Sequence, residues 1–145
     1  MKNIVVLLTI LFITLNSFGQ SPIKFVANEK SSIILGDTWD YEFTSLKTPI
    51  SVNFDGKVLK LTYTDGKEWG SYDIISFEKK ENTSDGEVDK ETYILLTKYR
   101  NYYQYIIIEK DFKIRKLDNG IIYTIKIPFL SKISETISYE IFRQF

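Results

Sequence analysis

Ile50-Ser-Val-Asn-Phe-Asp-Gly-Lys-Val-Leu-Lys-Leu-Thr-Tyr63 consists of two alternating segments on either side of Asp55-Gly56. An Asp-Gly pair suits the centre of a type I′ turn, where both residues take positive φ, so the stretch reads as a β-hairpin. A two-residue loop sets Phe54 opposite Lys57, Val52 opposite Leu59 and Ile50 opposite Leu61. The apolar side chains of both strands then share one face with Tyr63, and Ser51, Asn53, Lys60 and Thr62 take the other.

The chain upstream opens differently. Lys2 precedes an apolar run from Ile4 to Ile13, followed by a polar segment with small residues near Gly19. This is the pattern of a secretory signal peptide cut after Gly19, and the run is about half the ~20 residues of a membrane-spanning helix. The expectation is a leader over residues 1–19 and one domain over 20–145, periplasmic or secreted. No cysteine is present, so neither a lipid anchor of the lipoprotein type nor a disulfide can form. Stability must come from packing, for which ten Tyr, ten Phe and two Trp supply the material. Acidic and basic residues balance at 19 each, which gives no electrostatic reason to expect nucleic acid or an anionic membrane as partner.

Period-two alternation continues along the domain. Ile23 to Ala27 is a short extended segment, and the polar residues to Ser32 read as cover for one end of the fold. The first long strand begins at Trp39, with Tyr41 and Phe43 inward, and Lys47-Thr48-Pro49 ends it because proline has no N–H for the ladder. Asp65-Gly66 makes a second turn. Gly70 implies a bulge, which leaves either Tyr72 and Ile74 or Ile75 and Phe77 facing the core. Glu78 to Glu91, polar apart from Val88, reads as a long solvated loop. Glu91–Tyr99 and Tyr102–Lys110 form a second hairpin about Arg100-Asn101, apolar on both faces and therefore covered by other elements or by a partner. Phe112 to Arg115 and Ile121 to Ile127 flank an Asn119-Gly120 turn. Pro128 ends the strand, the residues to Glu135 carry the only helical spacing, and Thr136 to Arg143 alternates again.

About eight to ten strands joined by short hairpin loops make an all-β antiparallel meander. Closing it into an up-and-down barrel removes its edges, and a two-sheet sandwich is the alternative. The order of elements, with Gly36-Asp37-Thr38-Trp39 opening the first long strand and Arg143 near the end of the last, resembles a lipocalin-like or calycin barrel. The resemblance is one of topology and covers most of residues 20–145. It implies that Gly36 and Trp39 close one end of the barrel with Arg143 packed across the indole. Two residues rather than one separate Gly36 from Trp39, and a C-terminal helix is lacking, which departs from that family.

The residue inventory narrows the chemistry. Without histidine or cysteine there is no His-assisted nucleophile, no thiol nucleophile and no His or thiolate zinc site. Asp37 and Asp40 lie on opposite faces of a strand and are unsuited to paired acid–base work. Asp85 to Asp89 lacks the spacing of an EF-hand loop. No enzyme, metal or cofactor is expected. Tyr99, Tyr102, Tyr103 and Tyr105 gather at one hairpin end, where they cover a barrel rim or serve as binding surface. Two functions from different classes follow. The first is a non-enzymatic protein holding a small apolar or amphipathic ligand against Tyr63, Leu61, Tyr105 and Ile125. The second is an interaction module docking Tyr93 to Ile108 on another protein or a second copy.

Overall fold

A computed structural model describes residues 21–34, 42–112, 121–130 and 137–144. Eight antiparallel strands, β1 (Ile23–Ile34), β2 (Thr44–Phe54), β3 (Val58–Tyr63), β4 (Glu68–Ser84), β5 (Glu87–Tyr99), β6 (Tyr102–Asp111), β7 (Ile122–Leu130) and β8 (Ile137–Arg143), follow one another round a sheet. Pairing of β1 with β8 closes it into a barrel, as the meander predicts, and the sandwich is excluded.

The β2–β3 hairpin forms with a different register. Phe54 pairs with Leu59, Val52 with Leu61 and Ile50 with Tyr63, so the connection is four residues long rather than two. Asp55 sets this length, its carboxylate accepting hydrogen bonds from the backbone N–H of Lys57 and Val58, each 2.8 Å. Only Gly56 of the pair takes positive φ, 91°. A slip of two residues keeps every side chain on its expected face, and Val52, Phe54, Leu59 and Leu61 are all buried.

Four expectations are corrected. The first strand is β1, starting at Ile23, where Ile23, Phe25 and Ala27 alternate into the core. A register shift between Ala27 and Glu29 then reverses the phase, so that Ser31 and Ile33 are buried outside the core cluster. Pro49 does not end β2. It lies in the irregular stretch where β1 and β2 lose register, and its carbonyl accepts from Thr64 N–H at 3.0 Å. Pro128 likewise continues β7, opposite Tyr139 of β8, beyond the last pair that β7 makes with β6. Finally, Glu78 to Glu91 is no loop. β4 and β5 run through it as a ribbon that turns at Asp85-Gly86, whose φ values of 53° and 81° are those of a type I′ turn. The ribbon is polar because both its faces meet water, and cross-strand ion pairs such as Lys79 Nζ to Glu91 Oε1, 2.8 Å, replace apolar packing.

Bulging occurs twice on β4: Tyr72 and Ile74 face the core as strict alternation has it, and of the bulged alternative only Phe77 joins the inward phase, Ile75 being 54% exposed. Trp69 is the extra residue opposite Leu61 and Thr62, after which Tyr72 and Ile74 face the core. Ile75 is the next extra residue, after which Phe77 pairs with buried Leu95 and its ring meets Phe54 edge-on at 5.5 Å. Across the waist, Phe54, Leu59, Leu61, Leu95, Ile106, Ile108, Ile125 and Phe142 are fully buried. Each contributes about 1.5–3 kcal/mol of transfer free energy. Among the described residues side chains pack the middle of the barrel, and open concavities lie at its ends.

Gly36, Trp39, Asp37, Asp40, the Asn119-Gly120 turn, the leader and most of the stretch with helical spacing lie outside the described residues. Arg143 does pack across an aromatic ring, that of Phe43, with its guanidinium carbon 3.7 Å from the centroid. It also donates to Glu29 from Nε at 2.9 Å, tying β8 to β1.

Candidate functional site

Leu61 and Ile125 belong to the packed waist and offer no open surface. Tyr63 is half-buried at the rim where β3 turns into β4, beside Leu46 and Lys67. Tyr105 stands on the outside of β6 at 62% exposure, because Ile106 and Ile108 take the inward phase. The four residues expected to line one cavity are therefore not brought together.

An open concavity exists instead at the end of the barrel marked by the Tyr63–Lys67 and Arg100-Asn101 turns. The geometry of three strands creates it. The β6–β7 ladder stops at Ile107–Lys126, and β7 runs on from Ile127 to Leu130 paired with β8 alone, so the wall parts beside Tyr102 and Gln104. On the opposite side the bulge at Trp69 turns the indole toward Phe142, edge-on at 5.2 Å. The resulting cup has a volume of about 290 Å³ and is lined by Trp69, Tyr72, Tyr99, Tyr102, Gln104, Ile127, Pro128, Phe129 and Glu140.

Its walls are aromatic and mutually supported. Tyr72 meets Tyr99 at 5.1 Å and Tyr99 meets Tyr102 edge-on at 5.7 Å. Such contacts hold large planar surfaces in place while leaving polar tips toward water. Arg100 takes positive φ, 54°, in the tight turn and sets its guanidinium 5.3 Å from the centre of the Tyr99 ring. Burial raises the Tyr72 phenol well above its ordinary pKa, and the neighbouring Tyr99, Tyr102 and Glu140 add to the effect. At neutral pH Tyr72 is a neutral hydrogen-bonding group, not a base. Among the described residues Glu140, opposite Ile127 in the sheet, is the sole carboxylate of the lining and Gln104 the sole amide.

Among the described residues no group of three His, Cys, Asp or Glu is placed to hold a metal ion. Asp85 to Asp89 in particular forms a turn and strand. The arrangement can stack rings, exclude water from an apolar body and accept a hydrogen bond or positive charge at Glu140. The tyrosine cluster was the signal visible in sequence, and it splits: Tyr99 and Tyr102 face the cup, while Tyr103 and Tyr105 face outward. Trp69, Phe129 and Glu140 carried no signal, since their convergence depends on a bulge and on where one ladder ends. The barrel is compatible with a calycin-like strand order, but no family model matches the chain and neither a curated protein nor a solved structure proves similar to it.

Proposed function

We propose that the protein is a non-enzymatic, lipocalin-like binding module, periplasmic or secreted, that holds a small apolar or amphipathic ligand in the aromatic cup. One observation carries this reading: five aromatic side chains converge on an open concavity in which Glu140 is the only charge among the described residues. A ring seated among Trp69, Tyr99 and Phe129, with a donor or cationic end toward Glu140, satisfies both features. Calorimetry with phenethylamine and with phenethyl alcohol tests it. The amine binds more tightly, Glu140→Gln removes the difference, and Tyr99→Ala weakens both. Absence of binding by either compound at millimolar concentration to the folded protein overturns the proposal.

A protein contact through the outside of the β5–β6 hairpin is a second reading, favoured by Ile75, Tyr103 and Tyr105, which are 54%, 62% and 62% exposed. Large side chains this open on neighbouring strands are characteristic of contact surfaces. Light scattering after size-exclusion chromatography tests self-association there. A monomer at every concentration counts against a second copy as the partner.

A further inference from the structure

We infer that the opposite mouth of the barrel is a second binding site, specific for an anionic group, carboxylate or sulfonate, carried on an apolar body. This goes beyond the aromatic cup, from which the filled waist separates it.

The site arises where β4 and β5 leave the barrel as a ribbon. After the bulge at Ile75, Phe77 pairs with Leu95, Lys79 with Tyr93 and Glu81 with Glu91, so this row continues the inward face past the end of the core. On β6, Lys110 pairs with Glu91 and with Tyr123 of β7 and belongs to the same face. The start of β1 forms the remaining wall. Together they enclose about 550 Å³.

The lining has two parts. Ile23, Phe77, Tyr93 and Tyr123 give it an apolar floor, and the Tyr123 ring is fixed by stacking on Phe25 at 5.0 Å. Lys79 and Lys110 face the carboxylate of Glu91, the one acidic group of the lining among the described residues, and exposed Lys24 stands at its rim. That carboxylate is only 14% exposed and gathers Lys79 at 2.8 Å, Lys110 at 3.5 Å and the Tyr93 hydroxyl at 3.1 Å. Lys79 also reaches Glu81 at 2.6 Å outside the lining, which still leaves one positive charge in excess among the described residues. Two ammonium groups and a phenol converging on one carboxylate above an aromatic floor form a template for a carboxylate supplied by a ligand. Glu91 is the internal occupant of that template and competes with any incoming anion.

Amide chemical-shift mapping of the purified protein with octanoate, and with octanol as its uncharged counterpart, tests this. Octanoate is expected to shift Lys24, Lys79, Tyr93, Lys110 and Tyr123 saturably, while octanol binds there several-fold more weakly. Glu91→Gln removes the carboxylate that Lys79 and Lys110 share, leaving Lys79 its bond to Glu81, and should tighten octanoate binding, which a merely structural role of the cluster does not predict. Exposed Lys24→Gln should weaken it by about threefold to tenfold and decides the matter should Glu91→Gln fail to fold. Shifts confined to Tyr99, Tyr102 and Phe129, equal binding of octanol, or weaker binding by a folded Glu91→Gln would each overturn the inference. The cup stands or falls separately, on phenethylamine.

Discussion

Gly70 sits under the ring of Tyr72: a Cβ there stands 3.2 Å from Cε2 and 3.3 Å from the hydroxyl oxygen. Tyr72 is buried and braced by Tyr99, so it can yield only by disturbing the cup wall. Gly70→Ala is expected to destabilise the fold by about 1–3 kcal/mol in urea unfolding and to weaken phenethylamine binding as well. Charged residues show the same dependence on neighbours. Burial works against ionisation of Glu109, yet hydrogen bonds from Lys90 and Lys126 lower its pKa below the ordinary 4.5. Glu91 is lowered similarly, the bond from Lys79 and the charge of Lys110 outweighing burial. With folded-state values depressed, the unfolded chain takes up protons first as pH falls. The stability these groups contribute is present above pH 4.5 and lost below it. Urea titrations at stepped pH should show that decline, and Glu109→Gln should flatten it.

At the scale of single elements, the β4–β5 ribbon beyond the Lys79–Tyr93 pair contributes nothing to the core cluster, its β4 side being exposed and its β5 side half-buried. Deleting Thr83 to Asp89 and closing Asn82 to Lys90 with Asn-Gly should change the melting temperature by less than about 3 °C. Loss of folding would show that the ribbon is part of the cooperative unit. The same element marks what the sequence could reveal. Alternation identified the β2–β3 hairpin and β7 because each has one buried face in constant phase, whereas β5 and β6 stood out as apolar runs on either side of Arg100-Asn101 and β8 buries the adjacent Ile141 and Phe142. It failed for the ribbon, where neither face is buried, and for β1, where the shift after Ala27 reverses the phase within one strand. Pro49 and Pro128 misplaced boundaries because their missing N–H groups fall where pairing is already interrupted, which no local pattern records. The cup was half legible: the Tyr99–Tyr102 turn pointed to it, but Trp69, Phe129 and Glu140 reach it from strands distant in sequence.

For the molecule as a whole, closure depends on β1 meeting β8, and Arg143 secures that seam. It bonds Glu29 through Nε and Nη2 and lies over Phe43, with both partners of the ion pair largely shielded. Arg143→Ala should cost about 1–3 kcal/mol and speed amide exchange first at Glu29 to Ile33. Uniform exchange across the sheet would place the seam's strength elsewhere. A closed barrel with a filled waist leaves function to its mouths. Amide chemical-shift mapping during a phenethylamine titration examines that claim most directly. Saturable shifts at Tyr72, Tyr99, Tyr102 and Phe129, with Leu61 and Ile125 unmoved, are the predicted result; a response centred on Leu61 and Ile125, or none at millimolar amine, would contradict it.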